Sequence, residues 1–224
     1  MTESRRNAAR PERLPSGRHH LSRDVVVASQ RVRMLTATAE VMKEKGYAGT
    51  SVADIIRRAG VSRETFYQQF RSKEDCFVQA LDAATHQLVG LLEAAWQQPP
   101  ADAPRATPSP PPPTPEEIFR RLLRRYLHAL AERSAFARLF LVEVYAAGPA
   151  ATARRMEWQC RFADALAEIF PAGDEDDPDE RRFGCEALVA AAAHMVTVRL
   201  VADDVAGLHA LEAPLVRLAV RLLG

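Results

Sequence analysis

An all-α fold is what this sequence predicts, on three observations. Apolar residues recur at spacings of three and four over most of the chain, the period of a helix with one buried face. Capping residues stand ahead of these stretches, at Ser22, Ser51, Ser62, Ser72, Thr114 and Asp177. Glycine is sparse, with 10 in 224 residues, and alternating strand patterns are hard to find.

Residues 1–21 are polar and arginine-rich (Arg5, Arg6, Arg10, Arg13, Arg18), with Pro11, Pro15 and Gly17. They read as a disordered basic arm, either a solvated tail or a segment that follows a duplex backbone or enters its minor groove. Ser22 then opens a helix whose Val25, Val32, Leu35, Ala39 and Met42 lie on one face, ending at Gly46.

The stretch from Thr50 to Lys73 carries the most information. Ser51 caps a short helix, with Asp54 facing the free amides of its first turn and Ile55, Ile56 and Ala59 as its apolar stripe. Gly60 supplies the left-handed residue that ends it. Ser62 caps a second helix whose Phe66 and Phe70 mark the buried side, while Arg63, Glu64, Thr65, Tyr67, Gln68 and Gln69 offer polar groups outward. Arg57, Arg58, Arg63, Arg71 and Lys73 surround the pair. This is the helix-turn-helix plan.

From Ala59 through Gly60-Val61-Ser62-Arg63-Glu64-Thr65-Phe66-Tyr67-Gln68-Gln69-Phe70-Arg71-Ser72-Lys73 to Glu74, the chain resembles the DNA-binding signature of the tetracycline-repressor (TetR) family. With the flanking helices, the resemblance covers about a third of the chain. It implies that Arg63, Glu64 and Gln68 reach base edges, and that Thr50, Ser51, Tyr67, Gln69 and Lys73 hold phosphates, with Ser62 and Thr65 in the same DNA-binding set. The chemistry of the residues agrees, since arginine grips guanine bidentately, glutamine pairs with adenine and glutamate accepts from cytosine. Glu64 has alternatives, pairing with Arg63 or repelling phosphate.

Ser72 opens a connecting helix (76–98) with Phe77, Leu81, Leu88, Leu91, Leu92 and Trp96 as its apolar stripe. Nine of the 15 prolines fall in 99–115, too many for a helix. That segment reads as an extended linker, or less simply as a ligand for a proline-recognition module. Thr114-Pro115-Glu116-Glu117 starts the next helix, carrying Ile118, Leu122, Leu123, Tyr126, Leu127 and Leu130. A helix over 134–147 stops at Gly148-Pro149, and another runs over 151–170 with Met156, Phe162, Leu166 and Ile169. The acidic loop 173–177 lacks EF-hand spacing and a distal glutamate, so Asp177 is read as a cap ahead of Pro178. An apolar helix over 183–201 follows, then a last helix with Leu208, Leu211, Leu215, Leu218, Val220, Leu222 and Leu223.

The expected architecture is an N-terminal three-helix helix-turn-helix domain (22–75) followed by a C-terminal helical bundle domain (116–224) for ligand binding and dimerisation. Leu188, Val196, Leu200, Leu211, Leu215 and Leu218 are the expected dimer face, and the resemblance implies that the last two helices pair with their copies. Tyr126, Phe136, Phe140, Tyr145, Trp158 and Phe162 are the candidate walls of an effector site. Charge is divided, with 15 basic against 9 acidic side chains in residues 1–75 and 15 against 20 beyond. A basic front half suits docking on phosphate.

Cys76, Cys160 and Cys185 are odd in number and widely spaced, which speaks against a disulfide framework or a zinc knuckle. His128, His194 and His209 stand apart in sequence, and Cys185 and His194 are separated by about 13 Å along a shared helix. No catalytic residues, no metal ligands and no cofactor are expected. No run approaches the roughly 18 apolar residues of a membrane span, and a cytoplasmic location is expected. The reading is a homodimeric DNA-binding transcriptional regulator, a repressor of a palindromic double-stranded DNA operator released by a small-molecule effector. A helical enzyme or a non-DNA-binding interaction protein is the alternative.

Overall fold

The computed structural model describes residues 22–97, 112–173 and 177–224, which are helical and contain no strand. The basic arm and most of the proline-rich segment lie outside the described residues. Three helices form the head: α1 (Arg23–Gly49), α2 (Val52–Ala59) and α3 (Arg63–Gln69). The long α4 (Lys73–Gln97) leads to α5 (Pro115–Glu132), α6 (Ser134–Leu141), a 3-10 turn (Glu143–Tyr145) and α7 (Pro149–Ile169). α8 (Pro178–Val201), the short α9 (Val205–His209) and α10 (Glu212–Leu223) complete the chain.

The predicted starts are where the caps place them. Ser22, Ser62, Thr114 and Asp177 each accept a backbone amide of the first turn, from Val25, Thr65, Glu117 and Asp179. Ser51 and Asp54 form a reciprocal capping box. Gly60 ends α2 in the left-handed conformation, at φ 64°.

Two elements differ from the sequence expectation. The segment predicted as one helix over 134–147 leaves α-geometry after Leu141, because Val144 and Ala147 are drawn into the head's core. The last helix is two, α9 and α10, since Pro214 has no amide with which to continue α9's ladder through Ala210.

Two apolar cores result. One joins α1–α4 through Met34, Met42, Ile55, Phe66, Phe70, Phe77 and Leu81, and takes in Leu139, Val144, Ala147 and Ala151 from the C-terminal part. The other joins α5–α10 through Leu123, Leu127, Leu141, Leu166, Leu188, Val196, Leu208 and Leu215. The head is therefore completed by residues some 60–110 positions further on, and it is not a self-contained three-helix unit.

α8 bears on the expectation about membrane spans. By length and composition it could cross a membrane, with a mean hydropathy of 1.4 over 18 residues, although Glu186, His194 and Arg199 interrupt the run. It is a core helix on one side, burying Cys185, Leu188, Val196 and Leu200, yet only 33% of that apolar window is buried within the chain. The expected dimer face is also corrected. Leu188, Val196, Leu200, Leu211 and Leu215 are buried in this chain's own core, and Leu218 packs against it. The large apolar side chains that α8, α9 and α10 leave exposed are Phe183, Met195, Val198, Val201, Val205, Val220 and Leu222.

Candidate functional site

α2 holds α3 at the surface through the buried Ile55, Ala59 and Phe66. Rings link the two sides of α3: Phe66 lies 5.3 Å from the buried Phe70 and 5.3 Å from the edge-on, exposed Tyr67. Because Phe66 and Phe70 are fully buried, the opposite face of α3 must be exposed, and it carries Arg63, Glu64, Tyr67 and Gln68. The guanidinium of Arg63 sits 5.3 Å from the Tyr67 ring centroid and 3.4 Å from its hydroxyl. Gln68 donates to Glu64 at 3.3 Å, so Glu64 pairs with Gln68 rather than with Arg63. These contacts preorganise four side chains on one surface, two of them able to read bases bidentately.

The remaining predicted contacts divide by exposure. Ser51 and Ser62 are exposed at the helix N-termini, and Thr65 is half-buried with its hydroxyl 2.9 Å from that of Ser62. Thr50 is buried and donates to the Gly46 carbonyl at 2.7 Å. Gln69 is half-buried, with its amide oxygen enclosed. Lys73 donates to the Tyr47 and Thr50 carbonyls at 2.9 and 3.0 Å and lies 4.0 Å above the Tyr47 ring. Thr50 and Lys73 thus fix the backbone that leads into α2, a use not visible in their residue types.

Electrostatics narrow the basic cluster further. Arg58 is held by Glu40 and Glu44 at 3.0 and 2.7 Å, while Arg57 and Lys45 both pair with Asp54. Arg63 is exposed with no carboxylate in salt-bridge range among the described residues. Arg63 thus presents an unpaired positive charge on this face.

The Lys45 ammonium, followed by the Ser51 hydroxyl and amide, holds the Asp54 carboxyl well below the usual carboxylate range. A depressed folded-state pKa stabilises fully above the unfolded carboxylate value of about 3.9 and is lost as pH falls through the folded value. Asp54→Ala is therefore expected to lower the urea midpoint at pH 7, with the difference from wild type shrinking through the acid range. Equal midpoints at pH 7 would show that the capping box contributes nothing.

A second candidate site lies between α4, α5 and α6, where a cavity of about 40 Å³ is lined mainly by Ala84, Leu88, Leu91, Leu130, Phe136 and Phe140. Tyr126 also lines it, its phenol pushed up to about 12 by burial, with Gln87 and Arg133 as polar groups. Of the predicted walls, Tyr126, Phe136 and Phe140 are brought together here. Tyr145 points to solvent at 65% exposure, and Trp158 and Phe162 stack on each other at 6.4 Å without lining the cavity. Trp158 instead donates to Asp82 and meets His86 edge-on. Sequence reading missed the α4 contribution, although its apolar stripe at Leu88 and Leu91 was visible.

The His128 and His209 rings, far apart in sequence, lie 5.9 Å apart. No group of three His, Cys, Asp or Glu side chains able to hold a metal occurs among the described residues.

A small glycine-ended helix, a following helix with a polar exposed face and an all-helical body define a helix-turn-helix protein. Residues 34–80 match the model of the bacterial regulatory proteins of the tetR family. Over 86 residues the chain is 31% identical to the HTH-type transcriptional activator FasR of Mycolicibacterium smegmatis, covering 38% of this chain and 39% of that one. A second match, to an HTH-type transcriptional regulator of Lactococcus lactis, is 36% identical over 50 residues and covers 26% of it. The chain thus matches well under half the length of these curated relatives. Its whole fold is similar to that of the fatty acid degradation regulator FadR of Bacillus halodurans, with a TM-score of 0.69 and 19% identity over 85% of this chain and 94% of that one. FadR of Bacillus subtilis, solved in complex with stearoyl-CoA, gives 0.66 and 18% over 84% and 96%. The N-terminal part of the chain thus matches the tetR-family DNA-binding region, and the whole fold is similar to that of TetR-like regulators.

Proposed function

We propose that this protein is a homodimeric repressor that binds a palindromic operator in double-stranded DNA and is released by a small apolar effector. The observation that carries the reading is the α3 face, where Arg63, Glu64, Tyr67 and Gln68 stand exposed over a fully buried Phe66 and Phe70. Arg63, Glu64 and Gln68 are its base readers, and Ser51, Ser62 and Tyr67 its exposed phosphate contacts. The reading places it in the cytoplasm, with the DNA it regulates. FasR is named an activator, so the position of the selected site relative to a promoter decides the sign for this chain.

The apolar lining supports a hydrophobic effector, and the stearoyl-CoA complex of the Bacillus subtilis neighbour points to the same class. A cavity of about 40 Å³ holds only a few waters, whereas ligand pockets run to several hundred Å³. Any sizeable effector must therefore spread α4, α5 and α6, which couples binding to movement of the helix that enters the head.

Selection from random duplexes by the purified protein tests the DNA reading. An enriched two-fold symmetric sequence is expected, weakening as salt rises because bound phosphates release counterions. Arg63→Ala should relax preference at one base pair per half-site by about 1–3 kcal/mol, while Tyr67→Phe should weaken all sequences alike. If Arg63→Ala instead lowers affinity for every sequence equally, Arg63 is a phosphate contact.

A further inference from the structure

α1 does not run unbroken to its end. Gly46 adopts φ 69° and ψ 169°, which takes the Tyr47 amide out of the helical ladder. That amide donates to the Glu143 carboxylate at 2.7 Å, across 96 residues of sequence. Glu143 opens the 3-10 turn whose Val144 is buried in the head's core.

The backbone that Glu143 holds is tied on its other side to the start of α2. Thr50 returns its amide to the Tyr47 carbonyl at 3.2 Å and its hydroxyl to Gly46. Lys73 bridges the Tyr47 and Thr50 carbonyls, and the Tyr47 ring meets Phe77 edge-on at 5.4 Å. Ser51, the next residue, is exposed at the N-terminus of α2. A shift of the Tyr47 amide therefore moves the place where that N-terminus would meet a phosphate.

α6, which delivers Glu143, faces three ways. Phe136, Ala137 and Phe140 line the cavity, and Leu139 enters the head's core. Arg138 donates to the Leu200 carbonyl at 2.9 Å, at the end of α8. Cavity, head and α8 thus bear on one helix of eight residues.

We propose that Glu143 is a positioning residue for DNA binding, carrying the placement of α6 to the backbone in front of α2 by holding the Tyr47 amide. The proposal rests on the DNA-binding reading above. A carboxylate suits this place because a charge-assisted bond to an amide the helix cannot satisfy is strong and directional. The same break that frees the amide would otherwise leave a part-buried donor without an acceptor.

The test uses the full chain and the selected operator, comparing wild type with Glu143→Gln, Glu143→Asp and Glu143→Leu. Anisotropy titrations over a salt series are read beside thermal melts and hydrogen exchange at the Tyr47 amide. Glu143→Leu should speed Tyr47 exchange, weaken operator binding about tenfold and reduce the salt slope by about one phosphate contact. Glu143→Asp, which keeps the charge but withdraws it by one methylene, should move in the same direction. Glu143→Gln keeps an acceptor and should stay within about threefold of wild type. A role confined to stability would lower the melting temperature and leave the salt slope alone. If Glu143→Asp and every folded Glu143→Leu preparation bind with wild-type affinity and slope, the assignment is overturned even though Tyr47 exchanges faster. Wild type that enriches no sequence would instead overturn the DNA-binding reading itself.

Discussion

Leu215→Glu is expected to leave no stably folded protein at neutral pH. Leu215 is 1% exposed, on the inner face of α10 together with Val216, Ala219 and Leu223. The substitution removes a buried apolar side chain and sets an unpaired carboxylate in its place. Either loss alone costs about 2–5 kcal/mol, against a total stability of about 5–15 kcal/mol for a domain of ordinary size. Circular dichroism and a urea titration would read the outcome as a lost or shallow, low-midpoint transition. A cooperative transition near the wild-type midpoint would show that this face of α10 is open to solvent.

The same residue shows where sequence periodicity stops being informative. Spacings of three and four mark one apolar face on α10 and one on α8, and these faces are real. They do not say whether a face is covered by the chain's own helices or by a second copy. Here α5 and α8 pack against α10, Leu211 and Leu215 are buried, and the surplus lies elsewhere, at Phe183, Val198 and Val201.

Local chemistry was the legible part. The capping box of Ser51 and Asp54, the left-handed Gly60 and the buried Phe66 and Phe70 follow from residue types at fixed short spacings. So does the exposed polar face of α3. The cavity was half legible: Tyr126, Phe136 and Phe140 line it, but aromatic identity alone could not separate them from Trp158, which packs against α4. The resemblance implies that Lys73 and Thr50 hold phosphate, while in this chain alone both donate to carbonyls around the break at Gly46. Glu143 carried no signal at all. Its partner is a backbone amide 96 positions away, and neither hydropathy nor spacing encodes such a bond.

Val198→Glu is expected to give the opposite result from Leu215→Glu: a folded monomer. Val198 is 50% exposed on α8, in line with Phe183 at 72% and Val201 at 55%. Between them the exposed side of α8 carries the small Ala190 and the half-buried Ala187 and Ala191, which let another helix approach closely. A free chain can solvate a glutamate at this position, so its own fold should keep its helical signal and lose little stability. Pairing two such faces would bury the charge with no partner, which an apolar interface does not tolerate. Sedimentation equilibrium should therefore show one chain where wild type shows two. Operator affinity should fall by about a hundredfold or more, because each half-site then binds without the effective concentration supplied by its twin. A Val198→Glu protein that still sediments as two chains and holds the operator would move the dimer contact off α8. The exposed apolar stripe would then need another partner.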